Sequence, residues 1–247
     1  MISNSKPIFV RYILSISKIK HRKSTYYTLF IVAVAMASCN ELLPPEKQRL
    51  GYEYFPLSVG DFRIYQTQVI RYLEGTADTT DFQIKEIVSD SVELNGEITY
   101  RLDRFRRSDV SQPWVIDSVW SARVNTYQAI VIEHNTPVIK LSFPLAEDRR
   151  WDGNAMNTLE FDEFKITDFD LPYEINGNTY PQTLKMFKED LLDPLKIAND
   201  NYHEEVFAKG IGLIRRLDIN KKYNSESPGL IEDGIEFDQK LLQIGKL

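Results

Sequence analysis

The amino-acid sequence predicts a mostly β protein, with a single antiparallel meander that forms a partial barrel or sandwich and contains little helix. Three observations predict this fold class. Apolar and polar residues alternate from Gly51 onward, Asn-Gly pairs stand between alternating segments, and helical periodicity is scarce. Glu189 to Ala198 could form a turn or two of helix, interrupted by Pro194. We therefore expect one β-rich domain over residues 51–247.

Two Asn-Gly pairs predict the sharpest hairpins. Asn95-Gly96 separates two alternating segments, and Asn176-Gly177 lies at the centre of a similar stretch, Tyr173 to Tyr180. Asn and Gly adopt positive φ at low cost, which suits a two-residue turn. Val206 to Ile219 is predicted as a further strand, bent around its two glycines.

The first 38 residues have the organisation of a secretory signal. Four basic residues at positions 18–23 precede the apolar run Leu29 to Ala37, and no Asp or Glu occurs before residue 39. A membrane-spanning helix needs about 20 apolar residues, more than this run provides. The alternative is a buried helix of the same length. The basic flank and the Pro44-Pro45 pair favour a signal peptide, residues 1–38, followed by a tether, residues 39–50.

The only cysteine stands where the apolar run ends. Met36-Ala37-Ser38-Cys39 resembles the lipobox of bacterial lipoproteins, with Met at a position where Leu is more usual. The resemblance implies cleavage between Ser38 and Cys39, a diacylglyceryl group on the thiol, and a further fatty acid such as palmitate on the new amine. Two or three acyl chains anchor a protein far more firmly than one. Cys39 would then be a membrane tether in the cell envelope.

Charge and composition exclude several classes of function. Removal of 38 residues that carry six basic side chains leaves 247 − 38 = 209 residues and changes the net charge from −6 to −12. Such an acidic chain is not expected to bind nucleic acid. No cysteine would remain for a disulfide, so the 13 Phe and 13 Tyr must contribute much of the core.

Two further motifs carry a resemblance. The stretch "YEYFPLSVGDFRIYQ", Tyr52 to Gln66, is similar to the opening of many uncharacterised Bacteroidota-type envelope lipoproteins, and "VFAKGIGLIRR", Val206 to Arg216, resembles their late Gly-x-Gly strand signature. The resemblance implies a curved antiparallel sheet like a half-open barrel. We expect a lipid-anchored place in the cell envelope, in the outer membrane in preference to the inner one, and the side that the domain faces stays open. The resemblance implies no known activity. Pro56 and Gly60 would shape the start of the first strand.

No catalytic, metal or cofactor motif is found in the sequence. The mature chain keeps two histidines, His134 and His203, both expected near strand ends. Two separate histidines do not suffice for a zinc site. Without a nucleophile motif, they are also weak candidates for a triad. We therefore expect no catalytic residue, no metal and no cofactor, and surface or hydrogen-bonded roles for both.

Carboxylates leave a second class open, an envelope hydrolase with an acid–base pair. The candidates are Asp162, Glu163, Asp168, Asp170, Glu204 and Glu205. Their spacing across a cleft cannot be read from sequence, and solvated side chains are the simpler expectation. Basic clusters at Arg101 to Arg107, Arg149-Arg150 and Arg215-Arg216 could bind an anionic headgroup or glycan, but pairing with the surplus carboxylates is favoured.

A candidate ligand face completes the predictions. Trp114, Ile116 and Trp120 share one face of a strand if that strand is unbroken. This face is either ordinary core or a cleft lined by aromatic rings for an acyl chain or a sugar. The sequence thus predicts a lipid-anchored envelope protein that is not an enzyme, with the membrane and a protein, glycan or lipid as its partners.

Overall fold

A computed structural model describes residues 50–188, 192 and 194–247. The predicted signal peptide, Cys39 and nearly all of the tether lie outside the described residues. Lys47–Leu247 forms one compact unit. Its elements in chain order are a 3₁₀ helix, Tyr52–Tyr54, and strands β1 (Asp61–Leu73), β2 (Thr76–Leu94), β3 (Glu97–Arg107), β4 (Val115–Val124), β5 (Gln128–Glu133), β6 (Thr136–Ser142), β7 (Arg150–Asp152), β8 (Glu163–Ile175), β9 (Asn178–Lys188), β10 (Asn199–Ala208), β11 (Gly212–Tyr223) and β12 (Ile231–Lys246).

All twelve strands belong to one antiparallel sheet, ordered β6-β5-β4-β3-β2-β1-β12-β11-β10-β9-β8-β7. Strands that are consecutive in the chain pair with each other, except β6 and β7, which form the two edges of the sheet. The first and last strands, β1 and β12, also pair with each other. The sheet is nearly closed into a barrel. The predicted fold class, a mostly β antiparallel meander that forms a partial barrel, is confirmed.

The two edges of the sheet meet at one seam. The Ile139 N–H of β6 donates to the Gly153 carbonyl just after β7 at 2.9 Å, and the Trp151 indole N–H donates to the Ile139 carbonyl at 2.9 Å. A Cβ at position 153 would lie 1.9 Å from the Phe164 ring. Only glycine therefore lets the chain pass this close to Phe164 and reach β6.

The hairpin predictions from Asn-Gly pairs are confirmed. Asn95 and Gly96 have φ of 53° and 81°, and Asn176 and Gly177 have 52° and 74°. The prediction of one bent strand from Val206 to Ile219 was wrong. The Ile211 N–H donates to the Ala208 carbonyl at 3.0 Å, which reverses the chain between β10 and β11. The predicted helical turn at Glu189 to Ala198 lies partly outside the described residues, and residues 194–198 contain no helix.

Three buried apolar clusters fill much of the barrel. One surrounds Phe143, Phe164 and Phe207, a second surrounds Tyr65 and Ile214, and a third joins residues of β2, β3, β4 and β5. Full burial of a large apolar side chain stabilises the folded state by about 1.5–3 kcal/mol. Of the helical segments in the described part of the chain, none has the length and apolar character needed to cross a membrane.

Candidate functional site: a charged cavity inside the barrel

Charged side chains, which are usually solvated, occupy part of the barrel interior. Alternation along β1 turns Arg63 inward, and cross-strand pairing places Glu86 of β2 beside it and Arg104 of β3 beside Glu86. The Glu86 carboxylate lies 3.6 Å from a nitrogen of each guanidinium. Both arginine side chains are 9% exposed. Three neighbouring strands thus contribute a row of alternating charge to the interior.

A second group of interior charges consists of one buried lysine and two carboxylates. The Lys140 ammonium of β6 donates to Glu205 of β10 at 2.8 Å and lies 2.9 Å from Glu133 of β5. Glu205 is 1% exposed, and Lys140 is 7% exposed. A charge with so little access to water needs this kind of pairing, because removal of one partner leaves the other buried and uncompensated.

The remaining charges lie on β10 and β11. Register pairs His203 with Asp218 and Glu205 with Arg216. The His203 Nδ1–H donates to Asp218, and the Arg216 Nε–H donates to the same carboxylate at 2.7 Å. A second Arg216 nitrogen lies 3.6 Å from Glu133. We name the whole set the interior ionic cluster: Arg63, Glu86, Arg104, Glu133, Lys140, His203, Glu205, Arg216 and Asp218.

Mutual pairing keeps these groups charged. Burial alone would raise the pKa of Glu205, but the Lys140 charge and the neighbouring His203, whose Nε2 lies 3.5 Å away, hold that pKa well below its usual range. Burial likewise raises the pKa of Asp218, yet His203 and Arg216 bring it to about 2. The pKa of Lys140, lowered by burial, is raised overall by Glu133 and Glu205. Lys140, Glu205 and Asp218 are therefore ionised at neutral pH.

A cavity of about 70 Å³ lies among these side chains. Seven members of the interior ionic cluster line it, together with apolar residues and the indole of Trp120. The apolar and aromatic lining includes Phe55, Leu57, Tyr65, Leu102, Val131, Phe207 and Leu213. Phe55 and Leu57, which belong to the opening motif Tyr52 to Gln66, form part of this wall.

Arg63 connects the two sequence motifs. Its Nε donates to the Ile211 carbonyl at 2.6 Å, and a terminal nitrogen donates to the Pro56 carbonyl at 3.1 Å. Gly212 has φ of +93°, and a Cβ there would lie 3.0 Å from Arg63. The late Gly-x-Gly sequence thus makes a tight turn that receives Arg63 from the opening motif. The two motifs are distant in sequence but meet at the wall of the cavity.

The three residues of the predicted ligand face, Trp114, Ile116 and Trp120, do not share one face of a strand in the structure. Trp114 precedes β4 and lies under the Arg107 guanidinium, 4.2 Å from its carbon to the ring centroid. A bulge pairs Ser118 with Arg104 but Ile116 with Phe105, so Ile116 and Trp120 point to opposite faces. Ile116 is 56% exposed, whereas Trp120 lines the cavity. The unbroken strand assumed for this face does not exist, because the bulge shifts its phase. A ligand role for Trp114, Ile116 or Trp120 stays a prediction.

The two histidines differ in environment. His134 lies in the β5–β6 turn with φ of 50°, near a strand end as predicted. The same prediction was wrong for His203, which is in the middle of β10 and buried. The expectation of solvated carboxylates also failed for Glu204 and Glu205, both buried. It failed because these residues face cationic partners contributed by other strands.

The other predicted residues form local pairs. Asp162, just before β8, pairs with Lys188 of β9. Asp168 pairs with Lys185 and Glu163 with Arg150, each on neighbouring strands, while Asp170 accepts a hydrogen bond from the Tyr54 hydroxyl. Arg215 contacts Glu204 and Asp238 at 3.3 Å. Within the described ranges, no group of three or more His, Cys, Asp or Glu side chains is placed to hold a metal ion. Cys39 and Ser38 lie outside those ranges.

Sequence reasoning missed the interior ionic cluster. One signal was present: Lys140 interrupts an apolar run from Val138 to Phe143, at a position where a charge needs a buried partner. One partner, Glu133, lies on the neighbouring strand β5, but the other, Glu205, is 65 residues away. No local pattern joins Lys140 to Glu205.

No protein-family model and no curated protein matches this sequence. Solved structures are similar to this chain, among them the following two. One is a protein of Bacteroides fragilis described as exported and as having a YmcC-like fold, with 13% identity over 78% of this chain and 98% of that chain, and a TM-score of 0.41. The other, described as a lipoprotein, comes from Parabacteroides distasonis, with 11% identity, the same coverage and a TM-score of 0.41. Similarity at this level carries no inference about activity or partners.

Proposed function

We propose that the protein is a lipid-anchored component of the cell envelope that acts by binding and not by catalysis. The observation that carries the proposal is the order of features in the sequence. A basic segment, a short apolar run and small residues precede Cys39, and a short tether separates Cys39 from the barrel. Acyl chains on Cys39 would hold the domain at a membrane, proposed to be the outer membrane.

The filled interior supports a partner on the outside of the barrel. A cavity of about 70 Å³ lined by seven charged residues cannot bury a long acyl chain. Exposed apolar side chains are instead present on the outside, among them Ile116 and Val119 of β4, which are 56% and 49% exposed. We propose that these two residues belong to a surface for a protein partner, in preference to a lipid or glycan.

A hydrolase with a carboxylate pair is less well supported. A general acid needs a carboxyl with a raised pKa. In the interior ionic cluster the pKa values of Glu133, Glu205 and Asp218 are instead lowered, because nearby cations outweigh burial. These carboxylates are suited to ion pairing and would be poor proton donors.

Lipid labelling tests the anchor directly. Wild-type protein should incorporate labelled palmitate and partition into detergent, whereas Cys39→Ala should lose the label or stay uncleaved. Ser58→Ala, a change in the loop before β1, is the matched control and should label normally. A Cys39→Ala variant that incorporates as much palmitate as the wild type would overturn the proposal.

A further inference from the structure

The cavity inside the barrel carries hydrogen-bond donors that no described residue satisfies. The Nε–H of Arg104 and the indole N–H of Trp120 are buried and have no hydrogen-bond partner within the described part of the chain. The nearest carboxylate to Arg104 Nε, that of Glu86, is 3.6 Å away. Both residues line the cavity. Buried polar groups normally have partners, so two unpaired donors indicate that a ligand supplies acceptors.

The charge of the wall indicates an anion. Four cations line the cavity, Arg63, Arg104, Lys140 and Arg216, against the three carboxylates of Glu86, Glu133 and Glu205. The balance is 4 − 3 = +1. Asp218 does not line the cavity and already accepts hydrogen bonds from His203 and Arg216. A ligand with a single negative charge would neutralise the wall, whereas a dianion would exceed its charge.

Size and apolar lining define the ligand further. A volume of about 70 Å³ has room for roughly five water molecules, and thus for a ligand of about five non-hydrogen atoms. Part of the wall is apolar, with Leu57, Leu102 and Leu213 on it. The planar guanidinium of Arg104 lies 3.6 Å from the Trp120 ring centroid. Stacking fixes its orientation, and its fork geometry matches a carboxylate.

We propose that this cavity binds a short-chain monocarboxylate, with the carboxylate on Arg104 and the alkyl end against the apolar wall. The site is separate from the proposed anchor and from any partner on the outer face. It gives the charged interior a role beyond holding the barrel together.

Titration calorimetry on the full chain in detergent tests the proposal. Propionate should bind saturably with a dissociation constant of about 1 mM or tighter. Hexanoate should not bind because its chain exceeds the cavity, and inorganic phosphate should bind at least about tenfold more weakly since it lacks an apolar end and carries more charge. A water-filled cavity would give no saturable heat with any of these compounds, which would overturn the proposal.

Three variants locate the ligand. Arg104→Met should weaken propionate binding at least about tenfold, as expected for the loss of a charge-assisted hydrogen bond. Glu86→Gln should tighten it, because the wall gains net positive charge. Arg101→Met, on the exposed side of the same strand, should bind as the wild type does. If Arg104→Met does not fold, the Glu86→Gln result decides: unchanged or weaker binding contradicts the site. Cys39→Ala should bind propionate normally, so a failed anchor and a failed site are distinguishable.

Discussion

Two lysines of this protein make ion pairs of the same length in opposite environments. Lys140 lies 2.8 Å from Glu205 inside the barrel, with side chains 9% and 1% exposed. Lys222 lies 2.9 Å from Glu232 on the surface, with side chains 65% and 37% exposed. Water and salt compete with the surface pair, so that pair contributes little. Burial, and not distance, therefore decides which ion pairs this fold depends on.

The largest difference in stability is expected when each of the two lysines is replaced in turn. Lys140→Met should lower the free energy of unfolding by about 3–5 kcal/mol, because Glu133 and Glu205 would remain buried without their closest cation. Lys222→Met should leave the unfolding midpoint unchanged within error. Urea unfolding followed by circular dichroism measures both. Equal midpoints for the two variants would show that the interior pair is no stronger than the surface pair.

The buried histidine, His203, gives a second test, through the dependence of protein stability on pH. Burial lowers the pKa of His203, but the hydrogen bond to Asp218 and the nearby carboxylate of Glu205 outweigh it and raise that pKa above its usual 6.5. A raised folded-state pKa adds stability that is complete below about pH 6.5 and lost as the pH rises through the folded value. We expect the wild type to lose stability as the pH rises above about 6.5, by the amount that the shift in the pKa of His203 sets.

Matched substitutions isolate this effect. His203→Asn should be destabilised at pH 6 and should lack the loss of stability at higher pH. His134→Asn changes an exposed turn residue whose φ of 50° suits Asn, and it should keep the wild-type pH profile. Urea midpoints at intervals of pH would show the difference. A wild-type profile that stays flat above pH 6 would mean that His203 does not pair as charged imidazolium.

Added salt should have the smallest effect on the difference in unfolding midpoint between these proteins. At 1 M ionic strength the screening length falls to about 3 Å, and exposed pairs are weakened while buried pairs are largely shielded. We expect the gap in unfolding midpoint between wild type and Lys140→Met to persist in 1 M NaCl. A gap that closes in high salt would place Lys140 in contact with solvent.

Local signals in the sequence predicted the architecture but not the interior. The hairpins at Asn95-Gly96 and Asn176-Gly177 could be predicted because turn chemistry acts over two residues. The bulge in β4 could not be predicted, since it follows from the pairing of β4 with β3 and the sequence around Asp117 gives no sign of it. The sequence predicts only a bend at Gly210 to Gly212, where the structure has a tight turn. This turn contacts Arg63, which is distant in the sequence.

Assembly of the cavity depended on contacts of long sequence separation. Arg63 reaches Ile211 across 148 residues, and Lys140 reaches Glu205 across 65. Arg63 and Glu205 alone look like ordinary surface charges in the sequence. Only the sheet order, which places β1 between β2 and β12, brings these side chains to one interior.

A double-mutant cycle on Lys140 and Glu205, run beside one on Lys222 and Glu232, tests the account most directly. The four unfolding free energies of Lys140→Met, Glu205→Gln, the double variant and the wild type should give a coupling energy of about 1.5–3 kcal/mol, and the surface cycle should give none that is measurable. A coupling energy near zero for Lys140 and Glu205 would contradict the claim that buried ion pairs hold this barrel interior together.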